Sequence, residues 1–277
     1  AGTITAAMLA PYARILDGNL GIADQQARHI PDPVAIGAVG GSGTRLMART
    51  LEAMGVAMAT PVNSAGDALE WPPMRRLLSD SMLARFPREH ILNNAFSGLV
   101  QLLALRRHNL GLRGRSGWKV PTTHLWLAEL AQFFPGMQYI HLIRNGLDMA
   151  YSGNQRQAQH WASSQAVELT RDRDGRISPG SMLEYWLCAN ESALETGARC
   201  LGQRMRVIRF EDLCLNPERE IRDLASFLGV PVDEATVVKL SSDIHVPESQ
   251  GRYLHRDWRG DFTADQLARL DKLGYRG

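Results

Sequence analysis

The chain has 277 residues, 44% hydrophobic and 22% charged, with a formal net charge of +2 at pH 7. That length suits one large domain with a sizeable buried core. The near-neutral balance, without a clustered basic stripe, argues against a nucleic-acid face, and no apolar run reaches membrane-spanning length. Cys188, Cys200 and Cys214 are an odd number without metal-ligand spacing, as expected of reduced, buried thiols in a cytoplasmic protein. The chain starts without Met and shows no signal-peptide pattern.

Residues 1–33 place Ile4, Met8, Leu9, Tyr12, Ile15 and Leu16 at helical spacing, then Gly18, Gly21, Pro31 and Pro33. This reads as a short helix and a linker ahead of a domain over 34–277. An apolar run at 34–39 predicts a strand. It leads into Gly40-Gly41-Ser42-Gly43-Thr44-Arg45 and a helical pattern over 45–54. A strand, a glycine-rich turn and a helix N-terminus make an anion site, because backbone N–H groups converge where the helix dipole favours negative charge. Ser42 and Thr44 add hydroxyl donors. The Walker pattern does not fit. Ending it at Gly43 puts Thr44 where the Lys belongs and Arg45 where the Mg²⁺-binding hydroxyl belongs. An ATP kinase is therefore disfavoured, and a purely structural turn is the plainer alternative.

Further along, 63–71 carries Asp67 and Glu70, the two acids placed to serve as a general base. Asp67 also has the position of a helix N-cap. Helical patterns follow over 72–83 and 92–107. The basic stretch Arg106, Arg107, His108, Arg113 and Arg115 reads as a solvated loop or as a contact for an acidic acceptor. Strands are predicted at 117–120, ending near Lys119, at 139–143, and at 205–210, with helices over 123–134 and 181–201 between them. Strands alternating with helices indicate an α/β domain, a parallel sheet flanked by helices on both faces, with ligands beyond the carboxyl ends of the strands. The third strand ends at Arg144, a planar fork suited to phosphate oxygens, and Ser152 lies two turns into the helix that follows. Residues 156–180 read as a surface insertion facing substrate, or as a hairpin turning at Asp174-Gly175. His141 falls inside a strand, as a buried, hydrogen-bonded group would.

The glycine turn, the 138–155 block with Arg144 and Ser152, Arg209-Phe210-Glu211-Asp212-Leu213, and Asp257-Trp258-Arg259-Gly260-Asp261-Phe262-Thr263 together resemble the PAPS-dependent sulfotransferases over roughly residues 34–270. The pattern is nearest to the tyrosylprotein and related bacterial branch. The resemblance implies a P-loop-like fold. It implies a 5′-phosphosulfate on Gly40, Gly41, Ser42, Gly43, Thr44 and Arg45, and a 3′-phosphate gripped by Arg144 and Ser152, with Arg252 or Arg256 adding charge. The activity implied is sulfuryl transfer from PAPS to a small-molecule, glycan or peptide hydroxyl. Arg45 and Lys119 would act on the transferring group and Asp67 or Glu70 as the base, without a required metal. His108 and His124 are alternative bases. Two departures stand out: Gly41 replaces the usual basic residue, and Tyr253 stands where a glycine is common. Rival expectations are a nucleotide-dependent phosphotransferase and a non-catalytic PAP- or PAPS-binding protein. Glu211 and Asp212 read as acids holding a strand end, and Trp118 as an adenine neighbour or a core residue.

Overall fold

A computed structural model describes residues 32–58, 62–71, 78 and 84–275. The expected N-terminal helix and the helical pattern over 72–83 lie outside them, Asp32, Pro33 and Leu78 excepted. Four strands, β1 (Val34–Ala38), β2 (Gly117–Lys119), β3 (Gln138–Ile143) and β4 (Met205–Arg209), form one parallel sheet of order β2-β1-β3-β4. The register pairs Ile36 with Lys119 and Ala38 with Leu142. The carboxyl ends of β1, β2 and β3 therefore lie side by side, and the loops leaving them share one rim.

Among the described residues ten α-helices wrap the sheet. They are α1 (Thr44–Ala53), α2 (Arg88–Asn109), α3 (Leu127–Phe133), α4 (Gly146–Ala150), α5 (Arg156–Trp161), α6 (Pro179–Cys200), α7 (Phe210–Leu215), α8 (Pro217–Leu228), α9 (Glu234–Ser242) and α10 (Ala264–Lys272). Alternate strand residues face opposite layers. Val34, Ile36 and Ala38 join Met47 and Leu51 of α1 and Leu224 and Leu228 of α8. Ala35, Trp118 and Tyr139 pack instead on Phe96, Leu99 and Leu103 of α2 and Leu130 of α3. A third cluster, with Ile143, Leu147, Leu183, Trp186, Trp258 and Phe262, binds the C-terminal segment to α4 and α6. The sequence reading of a parallel α/β sheet with helices on both faces holds.

Several expectations need correction. The helix over 123–134 is a 3-10 segment, Pro121–Trp126, followed by α3. The helix after β3 stops at Ala150, so Ser152 sits in the turn beyond it. β4 is an edge strand with Val207 exposed, because only β3 flanks it. The 106–115 stretch is not simply a solvated loop: Arg106 is buried, and Arg107 and Arg115 donate to backbone carbonyls around the amino ends of the strands. Cys214 is buried, while Cys188 and Cys200 are half-buried; all three thiols are free. Over 170–178 the chain forms a hairpin, with a bridge between Arg171 and Ile177 and Gly175 at φ 75°. No described helix is long and apolar enough to cross a membrane.

Candidate active site

β1 delivers the chain into the turn at 39–43, where Gly41 and Gly43 have φ of 103° and 91°. Side chains rarely adopt that conformation. A Cβ on Gly43 would also lie 2.4 Å from the Phe210 ring. Gly43 N-caps α1, and no side chain accepts from the first-turn amides, which leaves them for an anion. Ser42 departs from its expected role. It is buried, and its hydroxyl donates to the Val39 carbonyl at 2.7 Å, so its proton braces the turn. Gln157 of α5 also reaches the turn: its Oε1 accepts from the Gly40 amide, and its Nε2 donates to the Ala38 carbonyl. Sequence reasoning missed Gln157, whose position 117 residues beyond Gly40 carries no local signal.

Lys119, at the end of β2, is 2% exposed. Its Nζ donates to Asp67 Oδ1 at 2.6 Å and to the Ala65 carbonyl at 2.8 Å. Asn63 organises this hairpin turn by accepting from the Ala65 and Asp67 amides and donating to Asp67 Oδ2. Beside Gly66 lie both the Arg45 side chain and Lys119 Nζ, each within 4 Å of where a Cβ would stand. Arg45, Lys119 and Asp67 thus meet at one place on the rim. Burial lowers the Lys119 pKa, the bond to Asp67 opposes this, and the Arg45 charge lowers it further.

Arg144 leaves β3 and is buried. It donates to the Gly41 carbonyl at 3.3 Å and to Ser249 Oγ at 2.8 Å, with its guanidinium 4.9 Å from the centre of the Phe210 ring. Burial lowers its pKa, the Asp148 charge raises it and the Arg252 charge lowers it. Arg252 joins the cluster through Nε to the Ser249 carbonyl. Asp148 accepts from the Gly251 amide at 2.9 Å, drawing the 249–252 segment over the end of β3. Here Arg144 Nε, Asp148 Oδ1 and Gln250 Oε1 are buried with no partner in the protein. Of the three, Arg144 Nε is the donor that an anionic ligand could complete. Arg256 stacks on Tyr151, next to Ser152, whose Oγ accepts from the Asn154 amide and keeps its proton to donate. Ser249 and Gln250 were not singled out in the sequence; nothing local distinguishes them.

Other candidates stand apart from the rim. Glu70 is 0% exposed and ion-paired with Arg106, with 3.0 Å between Oε1 and Nη1. Burial raises its pKa against the pull of Arg106, and no acceptor reaches it there. His108 is exposed at the end of α2, which leads into the amino end of β2. His141 is fully buried between Tyr139 and Asn190, as expected. Trp118 is a core residue; its Nε1 donates to Thr123. Glu211 accepts from the Asn145 amide and the Tyr275 hydroxyl, so it holds the end of β3 as its position suggested. No three described His, Cys, Asp or Glu side chains cluster as metal ligands would.

A family model described as "Sulfotransferase family" matches residues 33–234. Among solved structures, the chain is similar to a sulfotransferase domain from the curacin biosynthetic pathway, with 16% identity, TM-score 0.54, and 89% of this chain and 99% of that one covered. The sulfotransferase domain of an olefin synthase from Synechococcus PCC 7002 gives 16% identity, TM-score 0.53, and coverage of 90% and 96%. Sulfotransferase STF9 from Mycobacterium avium gives 11% identity, TM-score 0.52, and coverage of 85% and 72%. These likenesses establish a shared fold. No curated protein matches the sequence.

Proposed function

The chain belongs to the sulfotransferase family, and from that premise we propose that it transfers a sulfuryl group from PAPS to a hydroxyl acceptor by in-line displacement. PAPS supplies the group in activated form, as a phosphosulfate anhydride. One observation carries the reading: the turn at 40–45 and Arg144 lie on neighbouring strand ends, joined through the Gly41 carbonyl, with unclaimed donors at each.

The amides of Gly41, Gly43 and Thr44 cradle the 5′-phosphosulfate, the Ser42 amide being engaged with the Val39 carbonyl. Arg144, with its free Nε, holds the 3′-phosphate together with Ser152 and Arg252, and Arg256 lends charge from the edge. Asp67 takes the proton of the acceptor hydroxyl as that oxygen bonds to sulfur. The bond between sulfur and the bridging phosphate oxygen breaks, and its electron pair stays on the phosphate. Arg45, Lys119 and the turn amides then stabilise the charge left there, most strongly with water excluded. The Lys119 ammonium, 2.6 Å from Asp67 Oδ1, fixes that carboxylate beside the turn. Glu70, locked to Arg106, has no part in this scheme. The free thiols support a reducing, cytoplasmic setting.

A thermal-shift comparison tests the donor. PAP at 100 times its Kd contributes roughly 2.7 kcal/mol of stability. A rise with PAP and none with Mg²⁺-ATP supports the reading; the reverse makes the chain a phosphotransferase.

A further inference from the structure

A cavity of about 660 Å³ opens between the 3-10 segment Pro121–Trp126, α5 and the middle of α6, and the transfer scheme leaves it unused. His124 forms part of its wall and is 6% exposed. Its Nδ1 lies 3.0 Å from the Pro121 carbonyl oxygen. A carbonyl only accepts, so Nδ1 carries the proton and Nε2 the lone pair. Nε2 is buried and has no partner in the protein. Burial holds the ring's pKa down at about 4, so it stays neutral at physiological pH. The wall therefore contains an acceptor in need of a donor. An anionic group, which brings only lone pairs, does not satisfy it.

The charges in the cavity point the same way. Arg88 and Glu129 pair with each other, and Arg88 also lies 6.0 Å from the centre of the Trp126 ring. Neither charge is left over for an ionic ligand. Trp126 and Trp161 are half-buried and offer ring surface, and Ser192 and Thr196 add hydroxyls one helical turn apart. Aromatic faces, neutral hydrogen-bonding groups and cancelled charge suit an uncharged molecule with several hydroxyls.

One helix reaches both the glycine turn and the cavity. α5 sets Gln157 on the glycine turn and Trp161 in the cavity wall, four residues or about 6 Å further along the helix. His124 follows Lys119 by five residues.

We propose that this cavity holds the acceptor, and that the acceptor is an uncharged polyhydroxy compound of the saccharide type that donates a hydroxyl to His124 Nε2. Its role as an acceptor site rests on the sulfotransferase reading; the binding chemistry does not. The test is tryptophan fluorescence and calorimetry on the full chain, with and without saturating PAP, using cellobiose, chitobiose, glucuronate and octanol as probes. A neutral disaccharide is expected to bind at least ten-fold tighter than glucuronate or octanol. Trp161→Ala and, separately, His124→Phe should each weaken it at least ten-fold, with His124→Gln recovering part of the loss and PAP affinity unchanged in Trp161→Ala. A circular-dichroism melt of each variant separates unfolding from lost contact. Binding of PAP but of neither disaccharide, or glucuronate or octanol binding as tightly as they do, overturns the proposal. Disaccharide binding without PAP binding supports the cavity chemistry and refutes the transferase reading instead.

Discussion

Asp67 and Lys119 form the pair on which the proposed chemistry turns, and a double-mutant cycle isolates it. Asp67→Asn removes a charge at nearly constant shape and leaves the ammonium with neutral acceptors only, the Ala65 carbonyl and the new amide oxygen. Lys119 is 2% exposed, so it cannot recover solvation. Breaking a fully buried pair costs about 3–5 kcal/mol. The Asp67 side chain is 25% exposed, which reduces the expected cost to about 2 kcal/mol. Lys119→Met should cost less, because water and Asn63 still serve the carboxylate. The double variant should recover part of the loss, giving a coupling of about 1–2 kcal/mol in urea melts. Lys119 in Asp67→Asn also loses the group that opposes its lowered pKa. The variant's stability should then rise as the pH climbs towards the unfolded lysine value of about 10.4, because the unfolded chain holds that proton more tightly than the folded one. With PAPS and a working acceptor, turnover in Asp67→Asn should fall about 10²–10⁴-fold. A coupling under about 0.3 kcal/mol refutes the pair, and wild-type turnover in Asp67→Asn refutes the base.

Arg144→Lys keeps the charge but loses the fork, so the affinity for PAP should fall about 10–100-fold, the equivalent of one or two charge-assisted bonds; an unchanged calorimetric Kd removes Arg144 from the site. Gly43→Ala forces a strained φ and a clash with Phe210, and should cost about 2 kcal/mol or more in a denaturant melt; wild-type stability would contradict the left-handed turn against Phe210. His124 and His141 are both held at about 4 by burial, with the neighbouring imidazole also lowering His141. Relative to an unfolded value near 6.5, each contributes stability that is complete above pH 6.5 and is lost as the pH falls towards 4, about 3 kcal/mol apiece. Urea midpoints that do not fall between pH 7 and 4.5 contradict that burial.

The parallel sheet was legible because buried strands such as 34–38 and 139–143 read as unbroken apolar runs. The glycine turn was legible because its positive φ angles need backbone that glycine readily supplies, and Arg144 because it ends a strand. Longer-range contacts left no local mark. Gln157 reaches Gly40, and Ser249 reaches Arg144, through tertiary packing alone. Glu70 and Asp67 look equivalent in sequence, three residues apart in one segment. The fold separates them by sending Glu70 inward to Arg106 and Asp67 to the rim beside Lys119. Likewise Arg106 belongs to a basic stretch that looks solvated, until a buried carboxylate turns it inward.

The most direct measurement is calorimetric titration of the wild-type protein with PAP and, in parallel, with adenosine 5′-phosphate. If the glycine turn and Arg144 hold two phosphates of one nucleotide, removing the 3′-phosphate should weaken binding at least ten-fold, and Arg144→Lys should erase most of that difference. Equal affinity for the two nucleotides, or a 3′-phosphate preference that survives in Arg144→Lys, would contradict the account.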